Sequence, residues 1–271
     1  MGVAEYANRW ALPDWHGALL WTKARNAHGI KCALDILGEY VNDEDEMLRS
    51  KAAYLDLIRS VSSEKLFASV TIKPSSLGYS WDKYECLQSI LELADAATKY
   101  KVGFEIDMEG RSMVGFTLDA VKACASTGFP VTVALQAYLD RTPSDMGSML
   151  NNKVRVRLVK GGYAGDTNDF MDIQGRFKSL VRRLAESGAS FAIGTHDPDL
   201  IVWATVKMQN EPERMEFGLL KGLADKIKLE FVANKWHVSE YVPFGEYKVA
   251  YEDRRRAYLA HLDALGRSPA P

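Results

Sequence analysis

Eight short runs of apolar and β-branched residues recur along this chain, each ending in turn-forming or charged residues, with amphipathic stretches between most of them. They are ALDILGE (33–39), LFASVTIK (66–73), VGFEIDM (102–108), VTVALQAY (131–138), VRVRLVK (154–160), SFAIGT (190–195), RMEFGL (214–219) and HVSEYV (237–242). Their apolar character is nearly continuous, as suits strands buried on both faces of a parallel sheet. Between the first two runs, DEDEMLRSKAAYLDLIRSVSS opens with acids and carries Met47, Leu48, Ala52, Leu55 and Ile58 at helical spacing. Similar segments lie at 84–100, 117–126, 169–187 and 198–208, weaker ones follow the fourth and seventh runs, and a last helix is predicted over about 247–265.

Run starts advance by roughly 30 residues, one βα unit, so eight units use about 250 of the 271 residues. The spacing predicts an α/β fold, a (β/α)8 TIM-type barrel. A doubly wound open sheet would place a glycine-rich fingerprint after its first strand. Here LDILGEYVNDEDE supplies one glycine and then acids that would repel a pyrophosphate. One domain over 1–271 follows, with about 1–29 as an N-terminal helical cap and 30–265 as the barrel. Within the cap, 12–27 is predicted to form a helix closing the barrel's bottom, a plainer role for Trp15 and Trp21 than a membrane or partner surface.

Lys plus Arg is 34 against 36 Asp plus Glu, a net charge of -2, so no global positive field recruits nucleic acid. No apolar run approaches the ~20 residues of a membrane helix. Cys32, Cys86 and Cys124 are an odd number without a CxxC, which points to free thiols in a reducing, cytoplasmic setting.

In a barrel of this kind the chemistry lies at the C-terminal ends of the strands. Reading those ends brings Lys73, Asp107 with Glu109, Gln136 with Tyr138, Arg157 with Lys160, Thr195 with His196, and Tyr241 to one mouth. Lys73, taken alone, reads as a rim lysine paired with an acid, and Asp107 is the candidate acid. In VRVRLVKGGYAGDTND, Gly161, Gly162 and Gly165 allow close backbone approach, Asp166 to Asp169 offer helix caps, and the two cations suggest a phosphate cradle. An ordinary tight turn explains the same glycines. No second histidine sits at a strand's C-terminal end, so His196 is read as a hydrogen-bonding contact and no metal is expected. Arg254 and Arg255, one turn after Tyr251, suit a carboxylate held bidentately.

Together ALDILGE, TIKPSSLG, FEIDMEG, LQAYLDRT, VRLVKGGY, GTHDP, YVPFG and the terminal YxxRR resemble the proline dehydrogenase family, in order, from about Gly29 to Leu262. The resemblance implies an FAD-dependent oxidation of L-proline to 1-pyrroline-5-carboxylate, with a quinone or similar acceptor taking the electrons. It places Lys73, Asp107, Tyr163, Tyr241, Tyr251, Arg254 and Arg255 around the substrate, with Lys73, Asp107 and Arg157 as the catalytic set. Gln136, Arg157, Lys160, Gly162, Thr195 and His196 match positions that contact FAD, and Arg157 looks like the residue near the flavin's reactive nitrogen. The final helix lies over the mouth. Tyr258 stands where the family usually carries Glu, which suggests a missing ion-pair partner for Lys73 or an arginine. FGLLKG, with Gly218 and Lys221, replaces a Gln- and His-containing version. These departures leave hydroxyproline open as a substrate. A Lys73 Schiff-base aldolase or lyase, and an imino-acid-binding paralogue without catalysis, stay open as alternatives. The resemblance leaves the oligomeric state open, and a peripheral place at the inner membrane competes with a purely cytoplasmic one.

Overall fold

A strand that buries both faces needs two kinds of partner, and the eight strands of this chain sort their residues accordingly. In the computed structural model, which describes residues 8–38 and 40–264, the strands are β1 (Lys31–Ile36), β2 (Ala68–Ile72), β3 (Gly103–Ile106), β4 (Thr132–Gln136), β5 (Arg155–Val159), β6 (Phe191–Gly194), β7 (Met215–Leu220) and β8 (His237–Phe244). They pair in chain order and in parallel, and β8 closes on β1 from Lys31 opposite Ser239 to Ile36 opposite Phe244. The result is the expected (β/α)8 barrel.

Outward-facing residues such as Leu34, Val70, Ile106, Val133, Leu158 and Ile193 join one apolar core with the surrounding helices. The inward positions alternate with them and hold small or charged residues. Lys31 on β1 reaches Glu105 on β3 at 3.1 Å, Arg157 on β5 reaches the same Glu105 at 2.9 Å, and Arg155 on β5 reaches Glu216 on β7 at 3.2 Å. Each contact skips the strand between, a path open only through the barrel's interior. Ala33, Ala134, Gly194 and Gly218 occupy inward slots between these charges, which is why the runs look almost continuously apolar in sequence.

The connecting helices are α1 (Trp15–Asn26), α2 (Glu44–Ser63), α3 (Lys83–Tyr100), α4 (Val114–Ser126), α5 (Thr142–Asn151), α6 (Phe170–Glu186), α7 (Pro198–Met208), α8 (Asp225–Ala233) and α9 (Lys248–Ala264). Asp43, Asp82, Asp169 and Asp197 cap α2, α3, α6 and α7 by accepting from amides of the first turn. β1 begins two residues earlier than its run suggests, because the inward Lys31 continues the ladder with β8. The run's end at Glu39 lies outside the described residues, as do Leu265 at the end of the 247–265 segment and the first seven residues of the chain.

The position of α1 corrects one expectation. This helix does not close the bottom of the barrel. Its entry is tied to the top of β8, where the Leu12 amide donates to Pro243 O at 2.9 Å and the Gly245 amide to Leu12 O at 3.1 Å. Its exit leads directly into the bottom of β1. The helix therefore lies along the outer wall between β8 and β1, where the helix after β8 would otherwise pack, and α9 is free to cross the mouth. Its tryptophans face protein: Trp15 meets Phe244 edge-on at 6.4 Å, and Trp21 Nε1 donates to Glu240 Oε1 at 2.5 Å.

Glu240 points outward from β8 and is fully buried, as is Lys228 on α8, whose ammonium lies 2.5 Å from it. Arg25 on α1 reaches the same carboxylate at 2.6 Å. One acid thus joins α1 and α8 to the barrel wall. Removing one partner of a buried ion pair strands the other charge, at a cost of about 3–5 kcal/mol. Glu240→Leu is expected to lower Tm by roughly 10 °C, with partial recovery in the Glu240→Leu/Lys228→Met double variant, as read by calorimetry.

Candidate active site

The inward charges continue upward into a connected chain at the mouth. Asp35, completely buried on β1, accepts from Lys73 Nζ at 2.6 Å. Lys73 also donates to the Tyr241 hydroxyl oxygen at 3.1 Å and stands 3.6 Å from Asp107 Oδ2. An ammonium has no lone pair, so Tyr241 directs its own proton to its other neighbour, Asp107 Oδ2, at 2.7 Å. Asp107 Oδ1 accepts from Arg157 at 2.6 Å, and the remaining guanidinium edge of Arg157 rests on Glu105 at 2.9 Å. Ser69 and Lys31 close the chain below Glu105. The direction of each hydrogen bond in this series is thereby set.

Lys73 consequently has Asp35, not Asp107, as its nearest carboxylate, and it does not lack a partner despite Tyr258. Burial works to lower its pKa, but Asp35 and Asp107 outweigh burial and keep the ammonium charged. A Schiff-base lysine must supply a free amine, which disfavours the aldolase reading. Burial likewise opposes ionisation of Glu105, but Lys31 and Arg157 prevail and hold its carboxyl well below the usual carboxylate range.

The glycine-rich segment after β5 is built around a ring. A Cβ added at Gly161, where φ is +140°, would fall 1.7 Å from Tyr138 Cε1, and one added at Gly165 would fall 2.5 Å from Tyr138 Cγ. These two glycines admit the tyrosine, not a phosphate. The Tyr163 amide donates to the Tyr138 hydroxyl at 2.7 Å and the Gly162 amide to Gln136 Oε1 at 3.3 Å, so these two loop amides already have acceptors. Gly162 alone would carry a Cβ into open space. Lys160 pairs with Asp197 at 2.9 Å, and Asp197 also takes a hydrogen bond from Gln174 at 2.7 Å.

His196 accepts from the Leu220 amide through Nε2 at 3.0 Å. The ring proton therefore sits on Nδ1, which is buried without a partner among the described residues. Burial, followed by the nearby cations Lys228 and Arg255, pushes the His196 pKa down to about 3. From α9 come Tyr251, buried, and Arg255, whose guanidinium lies 4.9 Å over the Tyr251 ring. Arg254 and the half-buried Tyr258 reach the same space.

These walls enclose a cavity of about 530 Å³, within the usual size for a small-molecule site. Lys73, Asp107, Tyr163, Tyr241, Tyr251, Arg254 and Arg255 line it, and so do Gln136, Arg157, Lys160, Gly162, Thr195 and His196. The structure thus brings these thirteen residues together, whereas Glu109, also expected at the mouth, is buried behind it, where its carboxylate accepts from the Ser75 amide at 2.9 Å and the Ser75 hydroxyl at 2.6 Å. Sequence reasoning overlooks Asp35 and Glu105, whose signal is an acid standing inside an otherwise apolar run, and the part played by Tyr138. Lys221 belongs elsewhere: its ammonium donates to the Asn8 and Arg9 carbonyls at 2.5 and 3.0 Å and lies 4.1 Å over the Trp21 ring.

Strand-end polar groups under a helix that carries paired arginines define a (β/α)8-barrel enzyme. Residues 19–259 match the family model for proline dehydrogenase, and the chain belongs to the proline dehydrogenase family. It is 27% identical over 252 residues to proline dehydrogenase 2 of Bacillus subtilis, covering 90% of this chain and 83% of the relative. It is 26% identical to proline dehydrogenase of Deinococcus radiodurans, over 89% of this chain and 81% of that one. In fold it is similar to proline utilization A (PutA) from Bdellovibrio bacteriovorus inactivated by N-propargylglycine, with a TM-score of 0.85 and 20% identity over 93% of this chain. The matched part is 32% of that chain, so this protein spans about a third of PutA's length.

His196 carries a pH signature. Its folded pKa lies below its ordinary 6.5, so the unfolded state binds the proton more readily and stability rises with pH. The contribution is complete above pH 6.5 and is lost progressively as pH falls toward about 3. His196→Gln is expected to flatten this part of the stability curve in urea titrations at pH 7.5, 6 and 5. A parent and variant with parallel curves would contradict the assignment.

Proposed function

We propose that this protein is an FAD-dependent proline dehydrogenase that converts L-proline to 1-pyrroline-5-carboxylate. The observation that carries this reading is the placement of Arg254 and Arg255 on α9 across one cavity from the Lys73–Tyr241–Asp107 chain. Family membership supplies the reaction class.

The two arginines bind the substrate carboxylate, with Arg255 braced on the Tyr251 ring. Tyr241 and Tyr251 wall the ring, and Tyr163 completes the enclosure from the β5 side. Oxidation of the carbon beside nitrogen requires the neutral amine. The ammonium that Asp35 holds at Lys73 Nζ raises the cost of a second ammonium in the same cavity, which favours the substrate's neutral-amine form. Overall L-proline loses two electrons and two protons, and a quinone or similar acceptor takes the electrons onward.

The opposite wall fits FAD. His196 Nδ1 is a buried donor without an acceptor among the described residues, and Gly162 leaves open space beside the cavity. Gln136, Arg157, Lys160, Gly162, Thr195 and His196 would hold the cofactor, with Arg157 fixed in place by Asp107 and Glu105. When bound, FAD supplies the two-electron acceptor that no side chain provides.

The purified protein is expected to be yellow and to bleach anaerobically with L-proline. Hydroxyproline run in parallel decides between the two ring substrates. A protein that stays colourless after incubation with FAD would rule the reading out, and proline binding without bleaching would mark a non-catalytic paralogue. Arg255→Met is expected to raise KM for proline by about a hundredfold, the scale of a lost charge-assisted contact, with flavin content near that of the parent. Loss of both together would indicate misfolding.

A further inference from the structure

Tyr138 sits at the end of β4 and does not carry any of the chemistry just assigned, but all of its polar atoms are engaged around the cavity. Its ring packs closely against the backbones of both Gly161 and Gly165. Its amide donates to Lys160 O at 3.2 Å, and its carbonyl accepts from the Asp166 amide at 3.1 Å, so segment 160–166 is stitched to it at both ends. Its hydroxyl accepts from the Tyr163 amide at 2.7 Å and donates to Gln136 Oε1 at 2.6 Å.

The carbonyl of Glu109, which can only accept, and the amide of Gly162, which can only donate, fix which way the Gln136 side chain faces. Oε1 accepts from Tyr138 and from the Gly162 amide, and Nε2 donates to Glu109 O at 3.0 Å. A flipped amide would set the NH2 against the Gly162 donor and the oxygen against the Glu109 carbonyl. Gln136 and Tyr163 both line the cavity. One on β4 and one on the loop after β5, they share the Tyr138 hydroxyl, which stands beside the longer direct contact from the Gly162 amide to Gln136.

We propose that Tyr138 is a positioning residue that sets Gln136 and Tyr163 relative to each other, coupling the cofactor wall to the substrate wall. This rests on the function proposed above, in which those residues touch FAD and proline respectively. The coupling is specific to the hydroxyl: the ring alone would seat the glycines but would leave the Tyr163 amide without its acceptor and the Gln136 oxygen with one donor fewer.

Tyr138→Phe tests the idea, because it keeps the ring. With the parent behaving as a flavoenzyme, the variant is expected to raise both the Kd for FAD, measured by titrating apoprotein and following flavin fluorescence, and the KM for proline by about tenfold. Its kcat is expected to stay within about threefold of the parent's, since the reacting groups remain. An equal fall in kcat and kcat/KM, or unchanged Kd and KM, would overturn the proposal. Amide hydrogen exchange of segment 161–166 in the ligand-free protein gives a second arm that does not depend on the reaction. Faster exchange in Tyr138→Phe is expected, and equal exchange would overturn the proposal even if the parent proves to bind neither FAD nor proline. Gly165→Ala, which displaces the ring while keeping the hydroxyl, should show the same accelerated exchange.

Discussion

The ion pair between Asp35 and Lys73 is the contact on which the barrel's mouth depends. A carboxylate fully shielded from water at the centre of a barrel is costly unless a cation meets it directly, and Lys73 does so at 2.6 Å. Once the lysine is held as an ammonium, the orientation of Tyr241, and then of Asp107 and Arg157, follows from which atoms can donate and which can accept. Charge below the mouth is arranged on the same principle, with Glu105 shared by Arg157, Lys31 and Ser69. The barrel interior is thus a column of alternating charge in which each group is oriented before any ligand arrives, which reduces the reorganisation a polar reaction would need.

The architecture is legible in the sequence because strand number and spacing survive in any sequence that must fill a βα repeat. Ladder details are less legible. β1 extends back to Lys31 since its side chain has an acid to reach on β3, and nothing local to Lys31 announces that acid. α1 lies on the wall because Leu12 pairs with the far end of the chain at Pro243 and Gly245, a contact more than two hundred residues distant in sequence.

The candidate site shows the same division. Strand-end positions and the YxxRR pattern lead to the residues that line the cavity. Partners buried behind them escape notice: Asp35 sits in the middle of ALDILGE and resembles any acid in a short run until Lys73 is seen 2.6 Å away. The glycines after β5 illustrate how one pattern can serve two ends, since glycine is needed equally for a phosphate and for a tyrosine ring, and only the position of Tyr138 separates them.

The lateral seat of α1 also bears on the order in which the molecule can be assembled. Because the gap between β8 and β1 is filled from the N-terminal side, all eight strands and a complete ring of wall helices exist once Phe244 has been synthesised. The barrel can close before α9 emerges. The helix with the two arginines then docks on a finished surface, where Tyr251 packs against Ala11 and Leu37 and not into the main core between sheet and wall helices. Exposed positions of α9 can therefore vary what this scaffold accepts at its mouth at little cost to the barrel beneath it.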